Sequence, residues 1–423
     1  MAQLSDDCFA FGGALTPASD ALARLEETTR PVTDVEQIAL GSAVGRVLAE
    51  PVTSGHNVPP HDNAAVDGYA VYFDDLNEDT DTRLPLSGRA AAGHPMIDPT
   101  PRGTALRIFT GAAILPDAEG SAPDTVFMQE DCREEGNDVI LPPGIHKGAN
   151  KRFAGEDVRA GDTILEPGHR LRPQDIGLAA AVGVTVLPVY RPLSVAIFST
   201  GDEVFEPGDA LPAGGIYDAN RYTIAGLVES LGCVVHDLGI LADDEATVRE
   251  ALDKAAQAHD VILTSGGVST GAEDHVKTSV EALGHLHFWR LAIRPGRPIA
   301  FGQVGRVPFV GLPGNPVAVM VTFLRFARPL LLRLGGCRNV TPQHYRVRAA
   351  FDYRKKQGRR EWLRARLVQD ASGSLVAEKF SRDGAGILSS AVFADGLIEV
   401  AEDIGHLRSG DEVDFLPFNE MMR

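Results

Sequence analysis

The chain has 423 residues, with 40 Lys+Arg against 58 Asp+Glu and a formal net charge of −18. That acidic balance excludes a surface built for nucleic acid or an anionic membrane, so any bound anion must be held by local cationic groups. Hydrophobic residues make up 44% of the chain, ample for globular cores, and at roughly 100–200 residues per domain the length implies two to four domains.

The 44 Gly and 27 Pro, free of any short repeat, imply many turns and loops, where function concentrates. Cys8, Cys132, Cys233 and Cys337 lie far apart with no C-x-x-C pair. Neither a disulfide framework nor a thiolate zinc site is expected, and a reducing cytoplasm fits best. The opening MAQLSDDCFAFGG has no basic region, and no apolar run reaches the ~18 residues a membrane helix needs. A soluble, unprocessed cytoplasmic protein is the expectation.

In chain order, residues 19–52 carry helix-spaced apolar positions (Leu22 and Leu25, then Val35, Ile38 and Leu40) and predict helices, stopped at Pro51. Short apolar runs at 69–71, 105–109, 125–128 and 138–141, broken by Gly and Pro, predict a mostly β domain. A strand at 162–166, a proline-opened helix at 173–182 and a strand at 185–189 follow. This mixed stretch is read as rejoining the N-terminal helices in one discontinuous α+β domain.

After Pro192, strands at 193–199, 234–238 and 261–264 alternate with helices at 219–231 and Glu245–Ala258. A Gly-rich turn at 265–271, a helix to Leu283, strands near 287–291 and 309–311 and a helix at 317–334 complete the series. Such alternation predicts a doubly wound αβα domain around a parallel sheet. From about 341, runs at 345–351, 361–368, 374–378, 397–400 and 410–415 predict a small β-barrel domain. The multidomain α/β organisation is thus 1–57 plus 152–192, then 58–151, 193–340 and 341–423.

Ligands of an open parallel sheet bind beyond the carboxyl ends of its strands. Three loops are placed to do so: Ser199 to Glu203; Thr264 to Gly271, running on through Glu273 and Asp274 to Lys277; and Gly311 to Pro316. Each alone is ordinary turn chemistry, Gly for positive φ and Asp or Ser for a helix cap. Three together, two with acidic residues, point to phosphate and a divalent cation. Neither G-x-G-x-x-G nor G-K-[ST] is present, which argues against a dinucleotide fingerprint, a nicotinamide dehydrogenase and a Walker A loop. Arg290, Arg294 and Arg297 concentrate guanidinium charge suited to an oxoanion, and Lys147, Lys151 and Arg152 form a second basic group. Trp289 and Trp362 are read as packing residues.

The motifs DNAAVDGYAV, IFTGAAILP, DTVFMQED, KRFAGEDVRAGD, FSTGDEVFEPG, GGIYDANRY, LTSGGVSTGAEDHVK, FWRLAIRPGRPIAFG and VGLPGNPVAV occur in this order. With them the chain resembles, over nearly its whole length, the molybdopterin molybdenumtransferase family, the MoeA-type proteins also represented by the C-terminal domain of gephyrin. The resemblance implies a central molybdopterin-binding, MogA-like domain and insertion of molybdate into adenylylated molybdopterin with release of AMP. It also implies Mg²⁺ dependence and an elongated homodimer whose active site joins one subunit's sheet to the other's β domain. Possible further partners are a molybdopterin adenylyltransferase and molybdoenzymes.

By motif, the implied catalytic positions are Asp67, Thr110, Asp157, Glu203, Asp243 and Asp274, with Glu203 and Asp274 holding the metal. The implied substrate-binding positions are Arg152, Ser265, Gly266, Gly267, Ser269, Lys277, Arg290, Arg294, Arg297, Pro313, Gly314 and Pro316. Arg stands at 290, 294 and 297 where the family often has Lys, which keeps charge but exchanges a point donor for a fork and leaves tungstate as an alternative oxoanion. Ala64 stands where the family often has Ser, so no hydroxyl is required there. A non-catalytic scaffold that binds the cofactor or a partner is the competing reading.

Overall fold

The structure, a computed structural model, describes residues 15–266, 275–296 and 298–422. Of the helices expected before Pro51, one forms: α1 (Ala18–Thr28), which buries Ala18, Ala21 and Leu25. The second expectation is corrected, because Val35–Ala39 is a strand, β1, with Val35 paired to Tyr190 and Ala39 to Val186. Three apolar residues spaced 35, 38 and 40 suit a helix locally, but an edge pairing with a segment ~150 residues away overrides that preference.

The β domain is a six-stranded sheet of β2 (Gly68–Val71), β3 (Thr82–Ala90), β4 (Ala105–Ile108), β5 (Thr125–Met128), β6 (Arg133–Glu135) and β7 (Asp138–Leu141). The chain then returns through a short strand, Thr163–Leu165, which pairs with Val52–Thr53. It continues into α2 (Pro173–Ala181) and β8 (Val186–Tyr190), the partner of β1. The first segment and the return segment share one core, built on Leu48, Leu165, Leu171, Leu187 and Val189.

Next come β9 (Ser194–Thr200), β10 (Val204–Phe205), β11 (Ile216–Tyr217), α3 (Asn220–Ser230), β12 (Val234–Leu241), α4 (Glu245–Ala258), β13 (Val261–Ser265) and α5 (His275–Leu283). They are followed by β14 (Gly284–Arg290), β15 (Ile293–Arg294), β16 (Pro298–Val304), β17 (Val307–Leu312), α6 (Pro316–Thr322) and α7 (Arg328–Leu334). The main sheet runs β12-β9-β13-β17-β16-β14. Its first four strands are parallel, β16 runs antiparallel to β17, and β14, antiparallel to β16, runs with the first four, so one reversed strand corrects the expectation of a parallel sheet. The cause is a tight hairpin at Gly305-Arg306, where Gly305 has φ +60° and turns β16 directly into β17.

The long helix expected at 317–334 forms as α6, a π-helical turn at Phe323–Ala327 and α7. Beyond it, β18 (Tyr345–Ala349), β19 (Arg360–Gln369), β20 (Leu375–Lys379), β21 (Gly396–Val400) and β22 (Glu412–Pro417) pair in a ring. β19 meets both β20 and β21, so the sheet closes as a five-stranded barrel. Closure removes the free edges that short strands would otherwise expose. The barrel is fastened to the αβα unit by β15, which pairs with β19, and by a shared core in which Trp362 packs edge-on against Phe326 at 6.2 Å.

Candidate functional site

At the carboxyl ends of the parallel strands, Thr200 lies opposite Leu241, and Ser265 opposite both Ser199 and Leu312. The three loops singled out in the sequence therefore do share one edge. Ser265 Oγ donates to the Pro313 carbonyl at 3.2 Å and accepts from Asn220 Nδ2 at 2.9 Å. Asn220 Nδ2 also donates to the Gly314 carbonyl at 2.8 Å, so one amide ties the second loop to the third. Pro316 opens α6 after Asn315.

The acidic residues flank this edge. Thr200 Oγ1 donates to Asp243 Oδ1 at 3.2 Å, and Asp244, one residue on, caps α4 by accepting from Thr247 N at 2.9 Å. Glu203 is exposed and folds back over Gly201, whose φ is +135°. Glycine is favoured there by the backbone conformation, and a Cβ on Gly201 would lie 2.8 Å from Glu203 Oε2, so that carboxylate would have to shift. Lys277 is half-buried on α5. Gly267, Ser269, Asp274 and Arg297 lie outside the described residues.

A cavity of about 460 Å³ opens where this edge meets the barrel, lined by Gly266, Pro313 and Gly314 on one side and Tyr353, Glu361 and Arg364 on the other, with Arg294 between. Glu361 is wholly buried and accepts from Tyr353 Oη and Arg359 Nε, each at 2.6 Å. Burial and that bond push the Tyr353 phenol well above its usual range. Asp383, also lining the cavity, is paired with Lys379 at 2.8 Å. Glu361 is shared by Arg359 and Arg294 and Asp383 is met by Lys379, so among these groups the cations outnumber the carboxylates once Arg364 is added.

Arg364 is buried, donates to Ser390 Oγ at 2.9 Å and the Gly384 carbonyl at 3.2 Å, and among the described residues forms no ion pair. Burial holds its pKa down, against the opposing pull of the nearby Asp383 carboxylate. Arg294 Nη1 reaches Tyr353 Oη at 3.4 Å and Glu361 at 3.6 Å.

The two basic groups fare differently from their reading in sequence. Arg294 lines the cavity while Arg290, exposed at the end of β14, does not. Lys147, though exposed, pairs with Asp74 and Asp124, and Lys151 pairs with Asp62, so these lysines brace the β domain, while Arg152 is exposed. Asp67 and Thr110 do come together. Asp67 Oδ1 accepts from Thr110 N at 2.8 Å and Thr110 Oγ1 at 2.7 Å, bonds that lower the Asp67 pKa. Asp157 is exposed on the return segment. Among the described residues, no hydrogen bond or ion pair links Asp67, Thr110 or Asp157 to the sheet edge of the same chain.

Sequence reasoning missed Asn220, Arg364, Tyr353 and Glu361. Asn220 was within reach, since it lies in the quoted GGIYDANRY run. The other three sit in a strand-rich stretch with no loop signature, and their convergence on Arg294 depends on how the barrel docks.

Comparison with known proteins agrees with this architecture. Three family profiles match end to end: MoeA N-terminal region (domain I and II) over residues 16–183, a probable molybdopterin binding domain over 196–333, and MoeA C-terminal region (domain IV) over 346–418. The chain is 38% identical over 400 residues to a molybdopterin molybdenumtransferase of Haemophilus influenzae, covering 94% of this chain and 97% of that protein. It is 32% identical over 402 residues to molybdopterin molybdenumtransferase 2 of Mycobacterium tuberculosis, covering 93% and 96%. The crystal structure of a molybdopterin biosynthesis moeA protein from Pyrococcus horikoshii OT3 superposes with a TM-score of 0.82 at 30% identity, over 95% of this chain and 100% of that one. The end-to-end family match, these identities and the shared fold lead to one conclusion: the chain belongs to the molybdopterin molybdenumtransferase (MoeA) family of molybdenum cofactor biosynthesis enzymes.

Proposed function

We propose that the enzyme inserts molybdate into the dithiolene of adenylylated molybdopterin with release of AMP, supported by Mg²⁺. The observation that carries this reading is the cavity between sheet edge and barrel, lined by Arg294 and by the buried Arg364, which forms no ion pair among the described residues, a pairing of guanidiniums that suits a tetrahedral dianion. Gly266, at φ +84°, and the Pro313-Gly314 turn bring backbone close to that space, which suits the phosphates of the adenylylated substrate. The units 1–57 plus 152–192, 58–151, 193–340 and 341–423 are taken as its domains.

Glu203 and Asp243 offer exposed hard oxygen donors beside the phosphate loops, the donor chemistry Mg²⁺ prefers. Among the described residues no group of three His, Cys, Asp or Glu is arranged to hold a metal by itself; with Asp274 as a further ligand, the cation would take its remaining ligands from substrate phosphates. When bound, Mg²⁺ would supply charge neutralisation at the phosphoanhydride. The chain's own residues then have separate tasks. Asn220 and Ser265 hold the phosphate loops in register, while Arg294 and Arg364 hold the oxoanion and Arg290, Arg297 and Lys277 add positive charge nearby.

Among the described residues Asp67, Thr110, Arg152 and Asp157 have no link to this edge within one chain, and we assign them to the site of a second copy in a homodimer. The test is direct. Purified protein with Mg²⁺, molybdate and adenylylated molybdopterin should release AMP and yield active cofactor, and competing tungstate should reveal the oxoanion preference. No AMP release with either oxoanion would overturn the assignment.

A further inference from the structure

Arg221, the second residue of α3, is 3% exposed, yet it meets three carboxylates from three different elements. Its Nε donates to Asp218 Oδ2 at 3.0 Å, its Nη1 to Asp237 of β12 and its Nη2 to Glu206, while its backbone N–H donates to Asp218 Oδ1 at 3.0 Å. Burial alone would lower the pKa of this guanidinium, but the carboxylates outweigh burial and raise it. The knot is thus permanently charged.

What the knot holds is the ribbon of residues 201–218, which carries Glu203. The ribbon's two strands, β10 and β11, are two residues each, far too short to stand alone. Ile216 N donates to the Glu203 carbonyl at 2.7 Å and Asp218 N to the Phe205 carbonyl at 3.0 Å, so both ends of the pairing lie within about three residues of the groups Arg221 grips. The same helix start presents Asn220, which ties Ser265 to Gly314. One buried cation therefore locks the ribbon to the strand β12 and to the helix that joins the phosphate loops.

We propose that Arg221 is a positioning residue for the metal-and-phosphate edge, fixing the 201–218 ribbon so that the Glu203 carboxylate stays over the end of β9. The inference rests on the reading of Glu203 as a divalent-cation ligand. Arg221 itself, enclosed by Asp218, Asp237 and Glu206, does not reach the ligand.

The experiment is Mn²⁺ binding followed by electron paramagnetic resonance in the presence of ADP as a pyrophosphate-bearing probe, on folded full-length protein. Arg221→Gln should weaken Mn²⁺ binding about tenfold or more, the scale of outer-sphere partners in metal sites, and Arg221→Lys should recover part of the loss. In a Glu203→Gln background, Arg221→Gln should add less than about a twofold further loss, because the carboxylate it positions is gone. Binding within about twofold of the parent in folded Arg221→Gln, or a full additive loss in the double variant, would overturn the proposal.

Should Arg221→Gln fail to fold, Glu206→Gln removes one partly exposed arm of the knot and leaves two. A loss of about threefold or more then supports the role, and unchanged affinity overturns it. If Glu203→Gln alone leaves Mn²⁺ binding intact, the metal assignment itself falls, and this inference with it.

Discussion

Replacing Arg364 by Met removes the guanidinium while keeping a long, flexible side chain on the cavity wall. Arg364 is buried, carries no ion pair among the described residues and spends two donors on Ser390 Oγ and the Gly384 carbonyl. Two consequences separate cleanly. Without ligand, the variant escapes the cost of burying a charge but loses two hydrogen bonds, of which the one to Ser390 is partly covered because Ser390 Oγ also donates to the Ile387 carbonyl at 2.6 Å. The two effects oppose each other, so stability should change by no more than about 1–2 kcal/mol. With an oxoanion present, a charge-assisted hydrogen bond of about 1.5–3 kcal/mol is lost, which at ~1.4 kcal/mol per decade weakens molybdate binding about 10- to 150-fold. Isothermal titration calorimetry with molybdate reads the second quantity and a thermal melt the first. Molybdate affinity within about twofold of the parent would refute the placement of the oxoanion against Arg364.

The other predictions concern the frame of the site. Gly201→Ala places a side chain at φ +135° against the Glu203 carboxylate, so the Mg²⁺ concentration for half-maximal AMP release should rise, and backbone strain of about 1–3 kcal/mol should lower Tm as well. Trp362→Ala removes a fully buried ring and its 2.8 Å bond to Glu399, and should cost about 3–5 kcal/mol in a chemical denaturation series, chiefly by loosening the barrel from the αβα unit. Asp175 supplies a pH window. Burial pushes its pKa up, but bonds from Arg172 and His169 prevail and lower it from 3.8 to about 2. The folded value lies below the unfolded one, so the stabilisation, about 2 kcal/mol, is present above pH ~4 and lost as pH falls toward 2. Circular dichroism melts between pH 5 and 2 should show that loss, and Asp175→Asn should flatten it.

Much of this enzyme is legible in its sequence because the information is local. The helix Glu245–Ala258 is written in Val248, Leu252 and Ala255 facing one way and Asp244 capping the start. Likewise β9 and β13 are apolar runs that only a doubly covered sheet can bury, so the α/β core and the loops at its edge follow from pattern alone. The residue types in those loops, hydroxyls and glycines beside carboxylates, are what raise the expectation of phosphate and cation chemistry.

What only the tertiary structure decided are the matters of long-range partnership. The segment Val35–Ala39 is a strand because Val186–Tyr190 is there to pair with it. The five barrel strands close into a ring because β19 finds β21 as well as β20. Arg364 comes to line a cavity, and Arg221 becomes a three-carboxylate knot, because distant segments bring their neighbours together. A charge in sequence is equally at home on a solvated face or in a cavity, since its energy depends on burial and partners that folding alone supplies. The net charge of −18 set the need for a local cationic site, and the docking of barrel on sheet determined which arginines answer it.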